Sequence, residues 1–243
     1  MLKLYQFRFS HFCEKARWAL DYKTLPYQVV NLLPGFHVRV TSKLAPASSV
    51  PIVVAAGRVI QGSNAIIDWL DDTWAPQPLT PGDQVVATQA REWEHWLVEE
   101  VGVTLRQWFY HHALQERDKA LAFLLPGTSW LQQLQFRLAF PVIRDRMRQF
   151  MHINAPNARQ AERRLLQALD RLDAELATRA FLAGDGFSRA DLSMAALLAP
   201  LWAQELTAEE MSQRLPEPVL RLRESLLARP VLRRVAALYR DYR

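Results

Sequence analysis

The chain has one cysteine, Cys13, in 243 residues. That excludes an intramolecular disulfide and any zinc site built on several cysteines. It also points to the reducing cytoplasm as the compartment. Glycine is sparse, at eight residues, and no glycine-rich phosphate loop is present. No apolar run is long enough to span a bilayer. The longest, Met194 to Ala203, contains Pro200 and reads as a buried helix. No segment pairs a basic region with an apolar stretch and a small-residue cleavage site, so no secretory leader is expected. Internal repeats and low-complexity tracts are absent as well. The net charge of +5 admits contact with nucleic acid or a membrane without requiring it. Arg137, Arg144, Arg146 and Arg148 share one helical stretch and read as a solvated face. No zinc-finger pattern or RNA-binding aromatic motif accompanies them. Nucleic acid, membrane and metal are therefore not expected as partners.

What is present is an ordinary globular composition, half hydrophobic and about a quarter charged. The length suits one large domain or two small ones. Residues 1–80 mix strands and helices. Leu2 to Phe7 alternates apolar and polar positions, as a half-buried strand does. A helix is predicted from near Ser10 to Asp21, and a second strand over Tyr27 to Leu32. A helical crossover makes these two strands parallel. Pro51 to Ala55 and Arg58 to Ile60 read as a hairpin turned by Ala56-Gly57. Ser63 to Asp72 reads as a helix with Ile66, Ile67 and Leu70 on one face. Three prolines and a glycine then fall within Ala75 to Gly82 and read as a linker. Beyond it the apolar residues recur at helical spacing: Val86, Trp93, Trp96, Leu97, Val101, Leu105 and Trp108, then Leu165, Leu166, Leu169, Leu172 and Leu176. The expected domains are 1–74, a linker over 75–82, and an all-helical 83–243.

Two local patterns stand out. In Phe187 to Leu192, Ser188 reads as a helix N-cap with Asp191 returning a hydrogen bond to it. Phe187 and Leu192 have the spacing of a hydrophobic staple. This pattern is structural. The other, Ser10-His11-Phe12-Cys13, puts a hydroxyl and a thiol within one turn of a helix N-terminus. Free N–H groups and the helix dipole there stabilise a thiolate, whether the protein's own or a ligand's. Cys13 falls on the helix's apolar stripe with Phe12, Ala16, Ala19 and Leu20, whereas Ser10 caps the helix facing solvent. Tyr5, inside the first strand, is a weaker candidate for the same chemistry.

Taken together, Ser10-x-x-Cys13, Val50-Pro51, Gln61-Gly62-Ser63 and Ser188-Arg189-Ala190-Asp191 make the chain resemble the cytosolic glutathione transferases. The first segment looks most like the serine-type theta and zeta classes and their bacterial relatives. The resemblance covers essentially the whole chain. It implies a thioredoxin-like N-terminal domain of order β-α-β-α-β-β-α joined to an all-α domain. It also implies a cytoplasmic homodimer active in detoxification. Glutathione is then the cosubstrate and a small, hydrophobic electrophile the second substrate. Ser10 would be catalytic, hydrogen-bonding the glutathione sulfur. Val50, before a cis Pro51, would pair with the cysteinyl backbone of glutathione. Ser63 would bind its γ-glutamyl carboxylate, and His37 its glycyl carboxylate. Family members usually carry Glu or Gln immediately before the serine; here Gly62 stands there, so a side-chain contact is missing and Gln61 is the candidate to replace it. Phe9, Trp108, Tyr110 and His111 would wall the second-substrate pocket. Two other classes stay open: a thiol–disulfide or deglutathionylating enzyme, and a non-catalytic binding protein on the same fold.

Overall fold

The computed structural model describes residues 1–74, 76–202 and 207–243. Residue 75 of the expected linker and Ala203, which ends the longest apolar run, lie outside the described residues. The N-terminal domain runs β1 (Leu2–Gln6), α1 (His11–Tyr22), β2 (Tyr27–Asn31), α2 (Val38–Thr41), β3 (Ile52–Ala55), β4 (Arg58–Gln61) and α3 (Ser63–Thr73). Its sheet has the order β2-β1-β3-β4. β1 and β2 are parallel, with Leu4 opposite Val29, and β3 runs antiparallel to β1 and to β4. The β3–β4 hairpin turns through Ala56 and Gly57, both at positive φ (48° and 80°), as the twist of a two-residue hairpin requires.

The remaining described elements are helical. They are α4 (Gln84–Leu97), a π-helical stretch (Val98–Val103), α5 (Thr104–Ala113), α6 (Arg117–Leu124), α7 (Trp130–Phe150), α8 (Ala155–Leu176), α9 (Arg189–Trp202), α10 (Ala208–Arg214), α11 (Glu217–Leu226) and α12 (Pro230–Tyr242). α9 is the hub. Its residues from Arg189 to Leu198 are all buried, as a helix apolar nearly all round should be. No helix among the described residues is long and apolar enough to cross a membrane.

The start of α9 is fixed as the capping pattern predicts, with one addition. Ser188 N–H (3.1 Å) and Oγ–H (2.9 Å) donate to Asp191, which also accepts from Leu182 N–H at 2.9 Å. Burial pushes the Asp191 carboxyl up to about 6 against those three donors. Phe187 stacks on Tyr242 at 4.3 Å and lies near Trp18 and Tyr22, so it ties α1 to α12 at the mouth of the cap. Ser188→Ala is expected to cost about 1–2 kcal/mol, readable as a lower urea midpoint.

The linker is pinned as well. Asp71 on α3 accepts from Leu79 N–H (3.0 Å) and Thr80 N–H (2.8 Å), and Lys23 lies 2.8 Å from the same carboxylate. α1 packs against α3 and α9, and its N-terminal turn is held where the two domains meet.

Candidate active site at the first helix

The site begins where β1 ends. Ser10 is the N-cap of α1, with extended backbone (φ −83°, ψ 123°), and its Oγ accepts from Cys13 N–H at 3.4 Å. That bond uses an oxygen lone pair only. The same hydroxyl also hydrogen-bonds the Cys13 sulfur. Cys13 is fully buried, and burial pushes its thiol up despite the bond network at Ser10. A buried, protonated cysteine behaves as a small hydrophobe.

Three further stretches surround this turn. The Val50–Pro51 peptide is cis. Val50 lies outside the strands, and its backbone groups hydrogen-bond to no other described backbone group. Ser63 is buried at the first position of α3, where helix geometry leaves the N–H groups without intrahelical partners. Gly62 precedes it at φ +97°, a state that L side chains rarely adopt, and its N–H donates to the Pro51 carbonyl at 3.0 Å.

Gln61 does not point into this space. Its amide donates to the carbonyls of Ala47 (2.7 Å) and Ser49 (2.8 Å), bracing the loop that delivers Val50. This corrects the expectation that Gln61 replaces the missing side chain at Gly62. His37 is half-buried at the start of α2, its ring edge-on to Phe7 at 4.9 Å. Burial lowers its pKa, against the carbonyls of Leu33 and Ser48, so it is a neutral imidazole rather than a cation.

A family model described as "Glutathione S-transferase, N-terminal domain" matches residues 4–78, and one described as "Glutathione S-transferase, C-terminal domain" matches 131–230. The chain belongs to the cytosolic glutathione transferase superfamily. Glutathione S-transferase U17 of Arabidopsis thaliana is 27% identical over 127 residues, 51% of this chain and 56% of the relative. The chain spans about half the length of the curated relatives it matches. A glutathione S-transferase from Rhodospirillum rubrum superposes with a TM-score of 0.63 at 19% identity, covering 97% of this chain and 91% of that one. The theta class glutathione S-transferase from the citrus canker pathogen Xanthomonas axonopodis pv. citri, solved with glutathione bound, gives 0.61 at 18% identity, covering 96% and 95%. These likenesses to solved structures show the fold.

The helical wall beside this turn is not the one the sequence suggests. The π-helical stretch Val98–Val103 runs directly into α5. Gly102 and Arg106 lie against Phe12 of α1, and Tyr110 lies on the same side, near Cys13. Trp108 and His111 lie on the other side. Trp108 is buried with its ring against His112 at 4.9 Å, and His111 bonds to Gln115 at 3.2 Å and faces Arg148 and Arg159. Both therefore lie on the side of α5 away from Phe12, although the sequence groups them with Tyr110. Phe9 meets Phe123 at 5.1 Å and Phe123 meets Phe109 at 4.9 Å, so α6 contributes an aromatic residue that helical periodicity did not flag.

Two residues near the turn were missed altogether. His11 is buried, with Nε2 3.1 Å from the Gly102 carbonyl, and wedges α1 onto the π-helical stretch. Burial, helped by Arg106, pulls its pKa down to about 3. Arg106 lies over the Phe12 ring at 5.4 Å, and its buried Nε has no hydrogen-bond partner among the described residues. The sequence signal for His11 was its place inside the Ser10–Cys13 motif; Arg106 had none.

His11 makes stability depend on pH. Between about pH 6.5 and 3 the unfolded chain binds a proton there that the folded chain refuses. Stability is then lost as pH falls through that window, at up to about 1.4 kcal/mol per pH unit. His11→Gln is expected to flatten that part of a stability–pH curve from urea titrations. Among the described residues no group of three or more His, Cys, Asp or Glu is placed to hold a metal.

Proposed function

We propose that the protein is a glutathione-dependent transferase whose Ser10 hydroxyl activates the cosubstrate's thiol. The observation that carries this reading is the Ser10 hydroxyl itself: it caps α1 at the helix N-terminus and is only partly buried, while the only thiol of the chain is fully buried one turn away. A hydroxyl donating to the glutathione sulfur favours thiolate over thiol, and the N-terminus of α1 adds a favourable field. Val50 would pair through its backbone with the cysteinyl unit, and Ser63 at the start of α3 would take the γ-glutamyl carboxylate. His37, being neutral, would contribute a hydrogen bond and no charge to the glycyl end.

In the reaction the thiol proton leaves to water. The sulfur lone pair forms the new bond to an electrophilic carbon, and a leaving group departs with its bonding pair. No protein general base is needed. Phe9, Phe109, Tyr110 and Phe123 favour a hydrophobic electrophile, and Arg106 stands beside them. The buried, protonated Cys13 argues against thiol–disulfide chemistry.

The first test is a thermal shift with glutathione, paired with conjugation to chlorodinitrobenzene. At 100 times its dissociation constant the ligand stabilises by about 2.7 kcal/mol. A shift with conjugation supports the proposal. A shift without turnover of any electrophile supports a binding protein, and no shift at millimolar glutathione overturns the reading.

A further inference from the structure

α7 carries apolar residues on two opposite sides. Phe136, Phe140 and Ile143 face inward: Phe136 meets Phe36 edge-on at 6.1 Å, and the Ile143 side chain lies against Gly35. About half a turn away, Trp130, Leu134, Leu138 and Val142 recur at four-residue spacing, with Leu131 beside them. All five are exposed, Trp130 and Leu138 at 76% and Val142 at 60%. At 1.5 Å per residue the row is about 18 Å long. Single exposed apolar side chains are ordinary, but a contiguous row marks a surface that something covers.

Its borders say what. At about 100° per residue, Arg137 and Arg144 flank the row on one side and Arg146 on the other. Asp145, paired with Arg144 at 3.1 Å, is the only acid in α7. Neither Arg137 nor Arg146 makes an ion pair among the described residues. An exposed row of Trp, Leu and Val edged by arginine, on a chain of net charge +5, has the composition of a helix lying in a membrane interface. A second copy fits less well, because two α7 rows packed antiparallel bring each arginine border against its own twin with one acid per chain to oppose it. The sequence alone takes these arginines for a solvated face; the exposed apolar row between them is what the fold adds.

We propose that α7 docks on an anionic lipid surface. Trp130, Leu134, Leu138 and Val142 enter the acyl boundary, and Arg137 and Arg146 meet headgroup phosphates. The site is separate from the Ser10 cleft and independent of what that cleft does.

The test is cosedimentation of the full chain with extruded vesicles of phosphatidylcholine alone and of phosphatidylcholine mixed with phosphatidylglycerol. Binding to the mixed vesicles is expected, at least tenfold above binding to phosphatidylcholine. The double variant Leu134→Ser/Leu138→Ser should lose about tenfold or more. Arg137→Gln/Arg146→Gln should lose about fivefold per arginine. These side chains are exposed, so both variants are expected to keep the wild-type melting temperature, which is measured alongside. Failure of the wild type to bind mixed vesicles overturns the proposal. So does undiminished binding by the leucine variant, which would reduce the effect to net charge. A dimer in light scattering that the leucine variant dissociates would place a second copy on this face and would also overturn it.

Discussion

Ser10→Ala is expected to lower kcat/KM for conjugation by on the order of 10²-fold, the scale set by removing one hydrogen-bond donor from a reacting anion. The loss follows from geometry. The hydroxyl caps α1, and its oxygen is steadied by the Cys13 N–H. With alanine the bound thiol loses its donor, its pKa rises toward the free value, and the acidic limb of the pH–rate profile moves upward. Glutathione affinity should change little, because the contacts proposed at Val50, Ser63 and the α3 N-terminus remain. Cys13→Ala should keep activity within a few-fold, since that sulfur is buried and its thiol is held protonated. Steady-state kinetics on the two variants separate the roles. Activity retained in Ser10→Ala and lost in Cys13→Ala would reverse the assignment.

Arg189→Met is expected to cost about 3–5 kcal/mol, the scale for removing one partner from a buried charge network. Arg189 Nε donates to Glu94 at 2.6 Å, and its Nη1 donates to Asp68 at 2.6 Å and to Thr80 at 3.0 Å. Lys15, also fully buried, donates to Glu94 at 2.5 Å and to Asn64 at 2.7 Å. Burial pulls Lys15 down to about 8, with Glu94 opposing. The network joins α1, α3, α4 and α9, so it holds the two domains together behind the Ser10 turn. Without Arg189, Glu94 keeps one cation of reduced strength. At 2–4 °C per kcal/mol for a chain of this size, the melting temperature should fall by roughly 6–20 °C. Replacing Lys15, Glu94 and Arg189 together by apolar residues should recover much of that, because the uncompensated charge is gone. A triple variant as unstable as the single one would mean that the interface depends on shape rather than charge.

That network marks where reading the sequence ran out. Lys15 and Glu94 are 79 positions apart and Glu94 and Arg189 are 95 apart. Charged residues read as surface unless their partners are known. The strands were legible because their alternation is local: β1 over Leu2–Gln6, β2 over Tyr27–Asn31 and the β3–β4 hairpin stand within a residue or two of where the pattern places them. The caps at Ser10 and Ser188 were legible for the same reason. Trp108 and His111 were misread because they were grouped with Tyr110 by their place late on one helix, whereas at about 100° per residue these two share one face of α5 and Tyr110 points elsewhere. Gln61 was misread because its partners, Ala47 and Ser49, lie in an irregular loop.

A titration of the glutathione-bound protein by ultraviolet difference spectroscopy, which reads thiolate absorbance, decides whether Ser10 activates the cosubstrate. The wild type is expected to hold bound glutathione largely as thiolate at neutral pH, and Ser10→Ala to bind it as thiol. The same thiolate signal in both proteins, or none in the wild type, would contradict that role.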